Sequence, residues 1–262
     1  MLTQKQMQTY MYMQKLKENE KELRSMRFIN KRVLITGGSS GIGLATAKIV
    51  SEEGGQAIIV GRNMEKLHLA KQKLKETDKV YSVDVTSEEQ VSKMFEKLED
   101  VDHIVTAAGP PAGDMPLLDL PVAKAKEMFE SKYWGQYYCV KYGVPKLRKD
   151  GSIILFSGWI SRKPMAGLPT FAAIDGAIES LTRVLSKELA PIRINAVAPG
   201  VIETPLWDSI EKDTRKNIFK SFADKLPVGR IGQTTDVAKT LIFLMNNDFV
   251  TGSIVDVDGG QN

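Results

Sequence analysis

Histidine and cysteine are almost missing from this chain, with two histidines, His68 and His103, and one cysteine, Cys139, among 262 residues. A single cysteine excludes an intrachain disulfide, and ligands this scattered give a metal ion no cluster to bind. Cys139 reads as a small apolar residue on a helix. The sequence also lacks a run of about 18 apolar residues that could cross a membrane, and an unbroken apolar stretch of the kind that directs secretion. A reducing cytoplasm is therefore the expected setting. Excess charge is scarce too. Of the net +4, residues 1–27 hold +3, from six Lys or Arg against three Glu. The rest is nearly neutral and offers no basic field for nucleic acid.

What is present is the composition of a single folded domain, 42% hydrophobic and 26% charged. Residues 1–27 read as an N-terminal extension rich in Gln, Lys and Met. Met7, Tyr10, Met13 and Leu16 fall at helical spacing there, and Met26 is an alternative start. From Lys31 onward, short β-branched runs alternate with amphipathic stretches. The runs are Arg32–Thr36, Gln56–Val60, Val80–Val83, His103–Ala107, Ser152–Phe156, Arg193–Val197 and Ser253–Val257. Such alternation predicts an α/β fold, a doubly wound (Rossmann-type) seven-stranded parallel sheet in one domain over residues 28–262. Thr86, Ser87 and Thr235 stand where helix N-caps are expected. The least regular part, residues 204–232, carries Leu206, Trp207, Ile210, Ile218 and Phe222 at roughly helical spacing. It sits where a substrate lid belongs, beyond the carboxyl ends of the strands.

Between the first strand and the first apolar helix stand Gly37, Ser39, Ser40, Gly41, Ile42 and Gly43. Glycines at this spacing allow a tight turn and close backbone approach, and the helix that follows points its positive end at whatever lies before it. A dinucleotide pyrophosphate needs both. About 20 residues on, an NAD site usually has a carboxylate for the ribose hydroxyl. Here the second strand ends in Gly61, Arg62 and Asn63. Without a carboxylate, and with a guanidinium to pair with a 2′-phosphate, NADP(H) is expected over NAD(H). The alternative for Arg62 is a solvated loop residue.

The TGGSSGIG segment (36–43) and the APGVIETP segment (198–205) make the chain resemble the short-chain dehydrogenase/reductase family over roughly residues 28–260. That resemblance implies further roles. Asp84 and Val85 match the pair that reads adenine, and Ala108 and Gly109 match the small residues beside the cofactor at the fourth strand. Pro199, Gly200, Ile202 and Thr204 match the loop that holds the nicotinamide carboxamide. A small-molecule substrate and a homodimer or homotetramer are also implied, with self-association through the helices around residues 124–147 and 170–189 and the C-terminal strand. One departure is Thr106-Ala107-Ala108-Gly109, where the family commonly has two asparagines before the Ala-Gly.

The larger departure is catalytic. The family's signature is a Tyr, a Lys four residues on, a Ser thirteen before the Tyr, and an Asn on an earlier helix. Counting in this chain places Phe171, Asp175, Gly158 and Lys132 at those positions. Ser157 and the tyrosines at 133, 137 and 138 lie nearby in sequence, but the spacing favours the first alignment. Phe171 has no transferable proton, and a positioned acid or base is worth roughly 10²- to 10⁴-fold. Lys132 and Asp175 carry opposite charges at exchanged positions, so an ion pair between them is expected, the alternative being that each finds other partners. Two functions stay open. One is an NADP(H)-dependent oxidoreductase with a non-standard site, reducing an imine or an activated alkene with Lys132 or Asp175 as surrogate acid or base. The other is an inactive cofactor-binding sensor or a non-catalytic subunit. Trp159, Arg162 and Trp207 are candidates for pocket walls or for simple packing.

Overall fold

A computed structural model describes residues 27–109 and 114–261, together with Met7. The helix expected over residues 1–27 lies outside the described residues. Among the described residues nine strands run in chain order as β1 (Arg32–Thr36), β2 (Gln56–Gly61), β3 (Lys79–Ser82), β4 (Val101–Thr106), β5 (Leu147–Phe156), β6 (Arg193–Pro199), β7 (Ile202–Glu203), β8 (Gly232–Gln233) and β9 (Ile254–Val257). Seven of them form one parallel sheet in the order β3-β2-β1-β4-β5-β6-β9. These are the seven expected runs, though β5 begins five residues before Ser152. The remaining two, β7 and β8, pair as a small separate sheet, too short to leave a period in the sequence.

The helices are α1 (Gly41–Glu52), α2 (Met64–Lys71), α3 (Glu88–Lys97), α4 (Val122–Phe129), α5 (Gly135–Gly143), α6 (Pro169–Glu188), α7 (Lys212–Ala223) and α8 (Thr234–Asn246). They cover both faces of the sheet, which is why the central strands read as unbroken apolar runs. Successive side chains along a strand point to opposite faces. Val33 and Ile35 of β1 accordingly join α1 and α8 in one core, with Ala47, Val50, Val237 and Leu241. Leu34 joins α3, α5 and α6 in the other, with Phe95, Cys139, Ile174 and Ile178. Cys139 is fully enclosed there, and burial pushes its thiol up to about 12.

Caps form partly where expected. Ser87 accepts the Gln90 N–H at 3.3 Å and starts α3. The Thr86 hydroxyl instead donates to Asp84 at 2.9 Å. Thr235 lies inside α8, whose entry is fixed by Asp236 accepting the Gln233 N–H at 2.8 Å. A carboxylate three residues into the helix outcompetes the threonine because it also complements the helix dipole. The order of the sheet reverses between β1 and β4. At such a switch point the strand ends part and leave a crevice for a ligand.

The paired residues His103 of β4 and Ser152 of β5 sit opposite each other in the sheet, joined from Nδ1 to Oγ at 2.9 Å. Burial pushes the imidazole down from 6.5 to about 4, against the pull of the neighbouring Asp102 charge. A lowered pKa in the folded state favours folding at high pH. The contribution is fully present above about 6.5 and is lost as pH falls through about 4, and a gap of that size corresponds to roughly 3 kcal/mol. Urea unfolding at pH 7 and pH 4 is expected to show this loss in the parent protein. In His103→Gln, which keeps an amide for Ser152, the difference between the two pH values shrinks by about that amount.

Candidate active site

The first βα turn has the shape of an anion cradle. Gly37 and Gly41 have φ of +68° and +54°, left-handed values that favour glycine. A Cβ on Gly37 would lie 2.6 Å from the Ala107 carbonyl oxygen, and one on Gly43 would strike the Gly37 carbonyl. Helix α1 then begins at Gly41 with Ser40 as N-cap, no side-chain cap bond and no acidic residue in its first turn. Its first N–H groups and the positive end of its dipole are therefore left for an external anion. Ser39 leans toward the end of β2, its Oγ 3.5 Å from the Cβ position of Gly61. Arg62 is exposed there, without an ion-pair partner among the described residues. Asn63 has a local task, its Oδ1 accepting the Lys66 N–H at 2.8 Å to cap α2.

The other expected residues fall around the same crevice. Asp84 turns its carboxylate onto Thr86, and its own N–H donates to Gln90 at 3.0 Å. Val85 is buried against Gly135, where an added Cβ would come within 3.0 Å of it. The Ala108 N–H donates to Thr36 Oγ1 at 3.2 Å, so β1 and β4 stay joined at their ends. Gly109 is exposed. Pro199 closes β6, and the Gly200 N–H donates to Val257 at 3.1 Å, pinning the next loop to β9. Ile202 is buried in β7. Thr204 lies 3.8 Å from the Cβ position of Gly41, which brings the loop after β6 against the glycine turn.

At the ends of β4 and β5 the structure brings Lys132, Gly158, Phe171 and Asp175 into contact. Lys132 occupies a π-helical turn, residues 130–134, between α4 and α5. Such turns widen a helix and free backbone groups, and here the Lys132 carbonyl accepts the Gln136 side chain at 2.6 Å. Its ammonium donates to Asp175 Oδ1 at 2.5 Å, so the expected ion pair is present. The same ammonium stands 5.2 Å from the centre of the Phe171 ring, in cation–π range. Asp175 is buried on α6, its side chain only 2% exposed against 13% for Lys132. Burial pushes its carboxyl up, the Lys132 charge and hydrogen bond pull it down, and Glu179 one turn along pushes it up again. Gly158 completes the fit: a Cβ there would overlap Asp175 Oδ2 and lie 3.2 Å from its Cγ.

Neighbouring candidates resolve into support. The Ser157 hydroxyl turns inward to Glu179 Oε1 at 3.2 Å. Tyr133, Trp134, Tyr137 and Tyr138 stack on one another along the helix. Arg162 is held by Glu179 and Asp256. Trp207 donates to the Ile202 carbonyl at 3.0 Å and packs edge-on against Phe219 within the 204–232 segment. Two residues escaped sequence reading. Gln136, buried, joins Thr106, Phe156 and Lys132 in one network, which stiffens the end of β4 where asparagines were expected. Asp114 accepts the Phe171 N–H at 2.8 Å from 57 residues away, capping α6, whose own N-cap Leu168 makes no side-chain bond. A carboxylate followed later by an uncapped helix is a faint signal at best.

A glycine turn leading into an open helix start at a switch point, with polar groups at the adjoining strand ends, is the geometry of a dinucleotide-binding protein. A family model described as Enoyl-(Acyl carrier protein) reductase matches residues 37–262. The chain is 32% identical to a short-chain dehydrogenase/reductase of Stachybotrys chlorohalonatus, covering 87% of this chain and 95% of the relative. It is 30% identical to the human 3-oxoacyl-(acyl-carrier-protein) reductase, covering 88% and 98%. Among solved structures, a small-chain dehydrogenase in complex with NADPH is similar with a TM-score of 0.77 and 35% identity, covering 88% and 97%. The chain belongs to the short-chain dehydrogenase/reductase family of oxidoreductases. A nicotinamide dinucleotide fits the residues present, since the glycines leave room that a Cβ would fill and the α1 N–H groups lack a cap of their own.

The contacts among the four residues make stability effects non-additive. Lys132→Met leaves a buried carboxylate unpaired and is expected to lower stability by about 3–5 kcal/mol. The double variant Lys132→Met/Asp175→Leu recovers most of that loss. Gly158→Ala is expected to cost about 1–3 kcal/mol by overpacking, relieved when Asp175→Ala is added. Urea titrations of this set check the coupling, and simple additivity would contradict it.

Proposed function

We propose that this protein is an NADP(H)-dependent oxidoreductase with a non-standard catalytic site. Gly37, Gly41 and Gly43 with the α1 N-terminus hold the pyrophosphate in this reading. Ser39 and Arg62 face the 2′-phosphate, Asp84 and Val85 the adenine, and the loop of Pro199, Gly200, Ile202 and Thr204 the nicotinamide. When bound, the cofactor supplies or takes up a hydride. The chain's own residues orient the acceptor at the ends of β4 and β5 and screen it with the segment over residues 204–232, acting as a lid. At the positions where the family resemblance expects Asn, Ser, Tyr and Lys, this chain carries Lys132, Gly158, Phe171 and Asp175.

The observation that carries the reading is the meeting of two features: a loop after β6 seated against the glycine turn, and a charged pair, Lys132–Asp175, at the strand ends beside it. A protein that used only the adenine half of a dinucleotide would need neither. A second reading, a cofactor-holding sensor or non-catalytic subunit, draws on Phe171, whose ring has no proton to give. In either case a homo-oligomer is proposed, paired through α6 and through α5 with the π-helical turn before it, where Val184 and Trp134 are exposed.

Fluorescence titration is expected to give tighter binding of NADPH than of NADH. Arg62→Asp should weaken NADPH about tenfold or more, the scale of one charge-assisted contact, and leave NADH little changed. Hydride exchange from labelled NADPH to ketones, enones or imines separates enzyme from sensor. Failure to bind either nucleotide would overturn both. Sedimentation at micromolar concentration is expected to give a dimer or tetramer, and a monomer would count against the pairing.

A further inference from the structure

We infer that the Lys132 ammonium is an anion-binding position in the cleft, held for a substrate oxygen that arrives neutral and gains negative charge, as in a carbonyl or a conjugated enone. The choice of substrate class rests on the oxidoreductase reading above, whereas the anion binding stands without it. Access decides which half of the ion pair meets a ligand. The Asp175 side chain is 2% exposed and Lys132 13%, and Asp175 is closed in by the Gly158 backbone on its other oxygen. Of the two side chains, Lys132 is the more accessible to solvent.

Donor capacity points the same way. An ammonium has three N–H groups. Asp175 Oδ1 takes one, the Phe171 ring lies along one flank, and no other acceptor bonds Lys132 Nζ among the described residues. At least one donor therefore has no acceptor among the described residues. Nor do residues 157 and 171 offer it a hydroxyl. Ser157 faces Glu179, and Phe171 has none.

Sign and rigidity complete the case. Asp175 is bonded to the ammonium and Glu179 is met by Arg162 and Arg183, while Asp114 accepts the Phe171 N–H. Lys132 supplies the positive charge that a ligand atom at this position meets. An oxygen that gains electron density is stabilised there, while a preformed iminium is repelled. The ammonium is fixed beforehand by Asp175 and Phe171, so little reorganisation is needed when charge develops.

The test uses the full-length protein with NADP⁺ and 4-cyanophenol, whose ionisation is read by its ultraviolet absorbance. Bound phenol is expected to ionise at least one pH unit lower than free phenol. Asp175→Asn, which keeps a hydrogen-bond partner for Lys132 and removes the opposing charge, should enlarge the shift. Lys132→Met/Asp175→Leu, a neutral pair that leaves no buried charge unpaired, should abolish it. An equal shift in the parent and this double variant would overturn the inference. With labelled NADPH, a cyclic enone is expected to be reduced at least 100-fold faster than an N-alkyl iminium of matching skeleton, and the reverse order would overturn the substrate class. A phenol shift that depends on Lys132 together with no hydride transfer to any acceptor would instead refute the oxidoreductase reading and leave the anion site standing.

Discussion

A carboxylate taken out of water must be given a counter-charge, and the burial of Asp175 sets that condition for the whole reacting end of this protein. Desolvating an ion is expensive enough that an unpaired carboxylate would take up a proton or unfold its surroundings. Lys132 meets the condition from a different helix. To do so it needs the π-helical turn at residues 130–134, which sets the lysine facing α6. That turn in turn exposes its backbone carbonyl, and Gln136 satisfies it while also bonding Phe156. Gly158 must lack a Cβ for the carboxylate to fit, and Phe171 supplies an aromatic flank for the ammonium. Lys132, Gly158, Phe171 and Asp175 therefore form one packing solution.

The cofactor end obeys a different constraint. There the requirement is exposed backbone N–H and room, met by glycines whose side chains would collide with Ala107 or with the turn itself. Backbone recognition of this kind is indifferent to what happens at the ends of β4 and β5. A sheet can thus keep its dinucleotide turn whatever side chains pack at those strand ends. This separation is why fold and family follow readily from the chain, while the chemistry must be argued from the site.

Sequence and structure agree most where interactions are local or periodic. The seven strands were legible because each is a short β-branched run, buried on both faces in the central strands β1, β2, β4 and β6, and the glycine turn because its spacing is contiguous. The Lys132–Asp175 pair was legible for another reason: opposite charges at two positions that a family resemblance places together. What escaped is non-local. Asp114 caps a helix 57 residues away, and Gln136 ties β4 to β5 through one side-chain amide. Asn63 reads from the sequence with the cofactor residues, and its observed bond to the Lys66 N–H makes it a helix cap instead. The β7–β8 sheet pairs segments 30 residues apart over two residues each, leaving no pattern to detect.

Helix α6 carries a second buried carboxylate, Glu179, one turn beyond Asp175, and two like charges so placed would repel if both shared one cation. They are partitioned instead. Asp175 takes Lys132 from the π-helical turn, and Glu179 takes Arg162 from the β5–α6 connection, while Arg162 reaches on to Asp256 of β9. One helix thereby clamps two walls of the cleft and, through Arg162, the strand that pins the loop after β6 at Gly200. The segment over residues 204–232 is held at its later end, where Leu226 and Ile231 are buried and Arg230 pairs with Asp236, but its helix α7 has no buried residue. Local opening draws on the parts with the fewest buried contacts. Motion that admits a ligand should therefore centre on α7, beside strand ends whose buried charges are each paired.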